Sequence, residues 1–333
     1  MFDRFRISPF LENENVCAAL DLGTNSCRLL TGYPVQGGVQ ILDAFSVITR
    51  LGEGMGSNDC LSQEAMDRTI LALQECLDRL SDFPVRHSRF ITTEASRKAK
   101  NKLDFIEKAE KEAGVRLEVI SSEEEARLCM CACHDLFNTD KEGVLILDTG
   151  GGSTDLSYVV FSQQQEPFVA DSFSIPAGVV SLSENFLGKE PSGQEYQQAV
   201  QYMADAFAPF EKKHHLAEKI RENKIQMIGM SGTVTTLAAF KLKLRTYSHR
   251  KVDGFVLTKE DIENVSHEIS LMSYEEKSKH RCIGPQRADL TLAGCAILDA
   301  VRRFWNPCVL TVADRGLREG VLVDLFQKFP LTF

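Results

Sequence analysis

Apolar residues in this chain alternate between two rhythms, and the alternation runs through twice. In the first half, residues 16–20 form a short apolar run ending at a glycine turn, which predicts a buried strand. Residues 27–30 predict its returning partner and residues 39–50 a third strand. Over residues 62–80 the spacing changes: Ala65, Ile70, Leu71, Leu73, Cys76, Leu77 and Leu80 recur at helical intervals, with Ser62 placed to cap the helix. Residues 89–93 read as a strand entering a helix that carries Arg97, and residues 115–120 as another strand. Ser121 then opens a helix whose first turn holds Glu123, Glu124 and Glu125, acids that the helix dipole favours there. The pattern restarts with strands over 143–147, 155–161 and 173–176, a helix over 194–210, and a strand over 225–230. That strand delivers a small-residue loop, Ser231-Gly232-Thr233, into a helix over 234–240. A helix over 290–304, a strand over 308–312 and a helix over 315–326 close the chain, while residues 1–14 are polar and aperiodic.

Strands alternating with helices in two matched halves imply an α/β protein with two similar lobes. The length of 333 residues agrees, since it exceeds what one hydrophobic core serves. The expected division is a lobe over 1–135, a second over 136–315, and a closing helix over 316–333 that packs back on the first. No Gly/Ser-rich or Pro-rich linker separates the halves, which predicts tightly joined lobes with a cleft that opens and closes.

Charge and cysteine usage narrow the function. No apolar run approaches the roughly 18 residues of a spanning helix, and no secretory pattern follows Met1, so a cytoplasmic protein without a membrane role is expected. The formal net charge of −9 disfavours nucleic acid as a partner. A polyanionic ligand must then meet a local basic patch. Residues 241–251, with Lys241, Lys243, Arg245, Tyr247, His249, Arg250 and Lys251, are the candidate, the other reading being a solvated helix end. The ten cysteines read as free thiols. Cys129 and Cys133 would share a helical face that Cys131 does not, so the group does not converge on a zinc site.

One phrase occurs twice: Leu20-Asp21-Leu22-Gly23-Thr24-Asn25-Ser26 and Leu147-Asp148-Thr149-Gly150-Gly151-Gly152-Ser153. Each reads as strand, acid, then a small-residue turn whose backbone N–H groups can face an anion. A single such turn is common punctuation; a duplicated one suggests a phosphate site built twice. With Ser231-Gly232-Thr233 it makes three small-residue loops at strand ends, where open α/β sheets gather ligands. Glycine lets the backbone approach phosphate, and hydroxyls such as those of Ser153 and Thr154 add donors. Asp21, Asp148 and Asp155 can hold Mg²⁺ through oxygen and water.

Together these blocks resemble the exopolyphosphatase and guanosine pentaphosphate phosphatase family, within the actin-like ATPase superfold. The resemblance runs from Cys17 to about Gly320. It also rests on Thr92-Thr93-Glu94-Ala95-Ser96-Arg97, Ile120 to Leu128, Asp148 to Asp155, Ser231-Gly232-Thr233, Arg287-Ala288-Asp289 and Gly316-Leu317-Arg318-Glu319-Gly320. It implies two actin-like, ribonuclease H-like lobes and a homodimer. By position it implies Glu125 as general base for the attacking water, with Glu124 the neighbouring candidate in a run of three acids. Arg97 would stabilise the phosphoryl group and Asp148 and Asp155 would bind magnesium. Gly151, Gly152, Ser153 and Thr154 would hold phosphate oxygens opposite Asn25, Ser26 and Arg28. The substrates implied are inorganic polyphosphate and guanosine penta- or tetraphosphate. The chain departs from the family pattern at Asp155, where Glu is usual, at Ser231, where Gly is usual, and at Glu94, where a small polar residue is usual. Asp155 and Glu94 keep a second reading open, a nucleotide or alarmone sensor that binds without hydrolysing. A third, an ATP-dependent kinase, lacks a Gly-Gly signature after Ala238.

Overall fold

The computed structural model describes residues 15–35, 38–55, 59–162, 166–188 and 191–329, and the lead-in expected over residues 1–14 lies outside them. The chain forms two compact units: one holds the residues up to Ala132 and those from Leu317 onward, the other is Cys133–Gly316.

In the first unit the strands are β1 (Cys17–Leu22), β2 (Ser26–Val35), β3 (Gly38–Ile48), β4 (His87–Thr92) and β5 (Glu118–Val119), in the order β3-β2-β1-β4-β5. β2 runs antiparallel to β1 and β3, while β1, β4 and β5 are parallel. Every residue of central strand β1 is buried, which is why its sequence is an apolar run rather than an alternation. Helix Gln63–Leu80 starts as its spacing predicted, with the Ser62 side chain accepting from the Ala65 N–H, and packs its apolar stripe into a core around Leu20, Leu29 and Phe105.

The second unit contains β6 (Gly143–Thr149), β7 (Thr154–Val160), β8 (Phe168–Ile175), β9 (Ile225–Met230), β10 (Val256–Thr258) and β11 (Val309–Ala313), ordered β10-β11-β9-β6-β7-β8. Apart from the antiparallel edge strand β10, order and directions repeat those of the first unit. That order, with one antiparallel strand next to the first, is the ribonuclease H-like lobe of actin-like proteins, present twice. Helices Gly193–His214 and Thr291–Phe304 cover this sheet through a core containing Leu145, Phe207 and Trp305.

Some elements differ from the pattern. Of the strand expected over 115–120 only Glu118–Val119 pairs; Val115, Leu117 and Ile120 are apolar because they plug the core. β8 begins earlier than expected, since an edge strand tolerates polar residues such as Asp171, Ser172 and Ser174. Helices Lys102–Ala113, Lys259–Ser270 and Tyr274–Lys279 were not foreseen. All ten cysteines are free, with Cys129 and Cys133 buried and Cys131 partly exposed. No described helix is long and apolar enough to cross a membrane.

Candidate functional site

The two repeated phrases fold into the same hairpin. Gly23 N–H donates to Ser26 O at 3.0 Å, and Gly150 N–H to Ser153 O at 2.9 Å. Asp21 stands opposite Arg28 across the β1–β2 ladder, where Asp148 stands opposite Asp155 across β6–β7. Both turns are pinned from behind. Asn25 O accepts from the N–H groups of Thr49 and Arg50, and Thr24 O from that of Gly52. In the second turn Gly150 O accepts from Val179 and Gly151 O from Val180, at 3.0 and 2.8 Å. The carbonyls that would repel an anion are thereby turned away and satisfied. Among the described residues, the N–H groups of Gly151, Gly152 and Ser153 have no acceptor, which is the condition for a backbone anion nest.

Three of the hydroxyls expected to join them are bonded elsewhere. Thr154 Oγ1 donates to Ala177 O at 2.7 Å, Ser153 Oγ to Asp155 Oδ2 at 2.7 Å, and Ser231 Oγ to Thr149 O at 2.6 Å. The Thr24 side chain fills the space that Gly52 leaves, and that of Thr233 lies against Gly294. The hydroxyls of Ser153, Thr154 and Ser231 thus depart from the expectation of a hydroxyl-lined phosphate seat; the backbone amides remain, with the side chains of Thr24, Asn25, Ser26 and Thr233 making no hydrogen bond among the described residues.

The first turn is electrostatically self-contained. Burial pushes the Asp21 carboxyl up to about 6, against the pull of Arg28 and Arg318 and reinforced by Glu319. Below its ordinary value of 3.8 the group is protonated in both folded and unfolded chains. Between 3.8 and about 6 the unfolded chain ionises this acid while the folded state keeps it protonated, so stability falls across that window by about 3 kcal/mol and is level above it. Asp21→Asn is therefore expected to resist denaturant better than the parent chain at pH 8 and to match it below pH 4. Metal-free unfolding curves at both pH values check this, and a destabilised variant at pH 8 rejects it. Asp21 thus differs from its counterpart Asp148 in its cross-strand neighbour, Arg28 rather than a second acid.

Ser231-Gly232-Thr233 is not a loop but the first turn of helix Ser231–Lys241, which follows β9 directly. Ser231 has φ +74°, in the left-handed region that favours glycine, and its hydroxyl bond to the end of β6 holds it there. First-turn amides of a helix lack intrahelical acceptors and suit an anion. Arg287 was not singled out as a site residue, yet its guanidinium lies 3.6–3.8 Å from where a Gly232 side chain would begin and donates to Thr236 Oγ1 at 2.9 Å. Only its place in the Arg287-Ala288-Asp289 block could have found it. The basic segment 241–251 is partly neutralised: Lys241 pairs with Asp261, and His249 with Asp314 at 2.9 Å.

On helix Ser122–Cys133 the two adjacent candidate bases part company. Glu125 Oε2 meets Arg97 Nη1 at 3.0 Å, and the same nitrogen donates to Ile120 O. Both side chains stay about a quarter exposed, at 24% and 26%. Glu124 instead grips Arg127 with both oxygens and meets Arg89 at 2.8 Å. Its bonds to Arg127, aided by Arg89, hold its carboxyl down at about 2, which makes Glu124 a weaker proton acceptor than an unperturbed glutamate. Glu94 pairs with Lys98, four residues along the same segment, and not with Arg97.

Duplicated ribonuclease H-like lobes, each with an acid-bearing glycine turn at the end of its first strand, define the phosphate-handling class of actin-like proteins. Residues 34–329 match the family model of the Ppx/GppA phosphatase family. The Ppx/GppA family member of Aquifex aeolicus is 31% identical, over 95% of this chain and 99% of that one, with a TM-score of 0.78. An exopolyphosphatase-like protein is 27% identical over 94% and 99%, with the same TM-score of 0.78. An exopolyphosphatase from Cytophaga hutchinsonii, 23% identical over 94% and 98%, shares the fold with a TM-score of 0.81. The chain belongs to the Ppx/GppA phosphatase family, whose membership supports hydrolysis of phosphoanhydrides.

Proposed function

We propose that the chain is a magnesium-dependent hydrolase that removes the terminal phosphate of inorganic polyphosphate or guanosine pentaphosphate. The observation that carries this reading is the inequality of the twin turns. Where the first sets Asp21 against Arg28, the second sets two acids, Asp148 and Asp155, on neighbouring strands beside three outward amides. Amides attract phosphoryl oxygens, and facing carboxylates attract a hard cation.

The donor set fits magnesium. It consists of carboxylate oxygens with a hydroxyl bonded to one of them, and Mg²⁺ is commonly held by one or two carboxylates plus substrate phosphates. Asp148 and Asp155 would hold the ion, which when bound neutralises charge on the phosphoryl oxygens. The protein's own groups do the rest. In the second unit the amides of Gly151, Gly152 and Ser153 would orient phosphate; in the first, by the family pattern, Arg97 would offset charge on the transferring group and Glu125 take the proton of the attacking water.

Purified protein with Mg²⁺ should release inorganic phosphate from long-chain polyphosphate or from guanosine pentaphosphate, and chelation should abolish release. Measuring both substrates side by side ranks them. Tight binding of either without any release would replace hydrolysis with the sensor reading.

A further inference from the structure

Glu124 belongs to a cluster of charges drawn from several elements of the first unit. Arg127, one turn along the helix, holds both its oxygens at 2.7 and 2.9 Å. Arg89 of β4 reaches it at 2.8 Å and grips Glu118 through two further bonds of 2.9 Å. Behind them lies Asp324, on helix Leu317–Lys328 and 3% exposed. It accepts from Arg127 at 2.9 Å, from Arg89 at 3.3 Å and from Lys328 at 2.8 Å. Arg89, Arg127 and Lys328 balance Glu118, Glu124 and Asp324, so no charge is left uncompensated.

The same two helices also touch through their backbones. A side chain on Gly320 would begin 1.9 Å from Leu128 O, so only glycine permits the approach. A helix turns about 100° per residue, so one backbone contact fixes its distance but not its rotation. The charged cluster supplies the second constraint: with Glu124 clamped on one flank, Glu125 is presented on another, toward Arg97. Interior ion clusters add little net stability over apolar residues of the same shape, and their better use is to specify one orientation.

We propose that Asp324 is a positioning residue for hydrolysis: by seating Arg127 and Arg89 against Glu124, it fixes the rotation of helix Ser122–Cys133 that presents Glu125 to Arg97. The inference rests on Glu125 acting as the base. A displacement of about 1 Å at a reacting group costs on the order of a hundredfold in rate, so loosening this clamp is expressed in turnover rather than in substrate affinity.

The test compares Asp324→Asn, Glu124→Gln, their double variant and Glu125→Gln, using long-chain polyphosphate with Mg²⁺ and thermal unfolding of each protein. Asp324→Asn and Glu124→Gln should each lower kcat about tenfold or more, with KM changed less than about twofold. The double variant should be no worse than the poorer single one, because both act through one link. If Asp324→Asn does not fold, Glu124→Gln, at a more exposed position, decides alone. Wild-type kcat in folded Glu124→Gln, multiplying losses in the double variant, or a lowered melting temperature with unchanged kcat overturns the proposal. Full activity in Glu125→Gln removes the base assignment itself. An inactive Glu125→Gln beside unimpaired Glu124→Gln and Asp324→Asn removes the positioning role alone.

Discussion

Glu125→Gln is expected to lower kcat for phosphate release by about 10²–10⁴-fold, the range that positioned proton transfer supplies, while KM stays within a few fold. Glutamine keeps the size of the side chain and its carbonyl can still accept from Arg97, so the local structure has little reason to rearrange. What it cannot do is take a proton from water. Stability should hardly change, since the Arg97 pair is a quarter exposed and pairs of that kind contribute at most about 1 kcal/mol. Glu123→Gln is the control: Glu123 is exposed two residues earlier on the same turn, and its substitution should leave turnover as it was. The measurement is steady-state phosphate release with circular dichroism to confirm folding. Wild-type turnover by folded Glu125→Gln would falsify the base assignment whatever the substrate proves to be.

Much of this architecture is written locally. β1 and β6 announce themselves as apolar runs because both their faces are covered, and Gly23 and Gly150 mark the returns because each begins a tight turn. Ser62 caps its helix within three residues of itself. Features decided over long distances were not legible. A threonine in a glycine turn looks like a phosphate donor until Ala177 O is placed beside Thr154. Glu124 and Glu125 are indistinguishable as neighbours in sequence; Arg89 and Asp324, the latter 197 positions from Arg127, give them different surroundings. Apolar residues at 115, 117 and 120 carry the same signal whether they pair in a sheet or plug a core, and periodicity alone does not tell these apart. Arg287 carries no sequence signal beyond its place in the Arg287-Ala288-Asp289 block, and its approach to the start of helix Ser231–Lys241 is decided by the fold.

Gly178→Ala should damage the phosphate seat without touching any charged group. A methyl at that position would lie 2.4 Å from Gly150 O and 2.5 Å from both Gly151 C and Gly151 O, all backbone atoms with no rotamer to escape into. The φ of −117° at Gly178 is open to alanine, so the cost is steric rather than conformational. Either the turn or the segment behind it must move. That segment supplies the N–H groups of Val179 and Val180 that hold the carbonyls of Gly150 and Gly151 back, so movement on either side frees those oxygens to face the ligand. Overpacking of this kind costs roughly 1–3 kcal/mol of stability. Its larger effect should fall on function: kcat/KM for polyphosphate is expected to drop about 10²-fold or more, in line with removal of preorganised donors from a developing charge. Gly193→Ala, where nothing lies within 4 Å of the added methyl, should change neither quantity appreciably. If folded Gly178→Ala keeps kcat/KM within about twofold of the parent chain, the turn at 150–152 does not hold the phosphate and the anion must be gripped elsewhere, with the start of helix Ser231–Lys241 and Arg287 the next place to look.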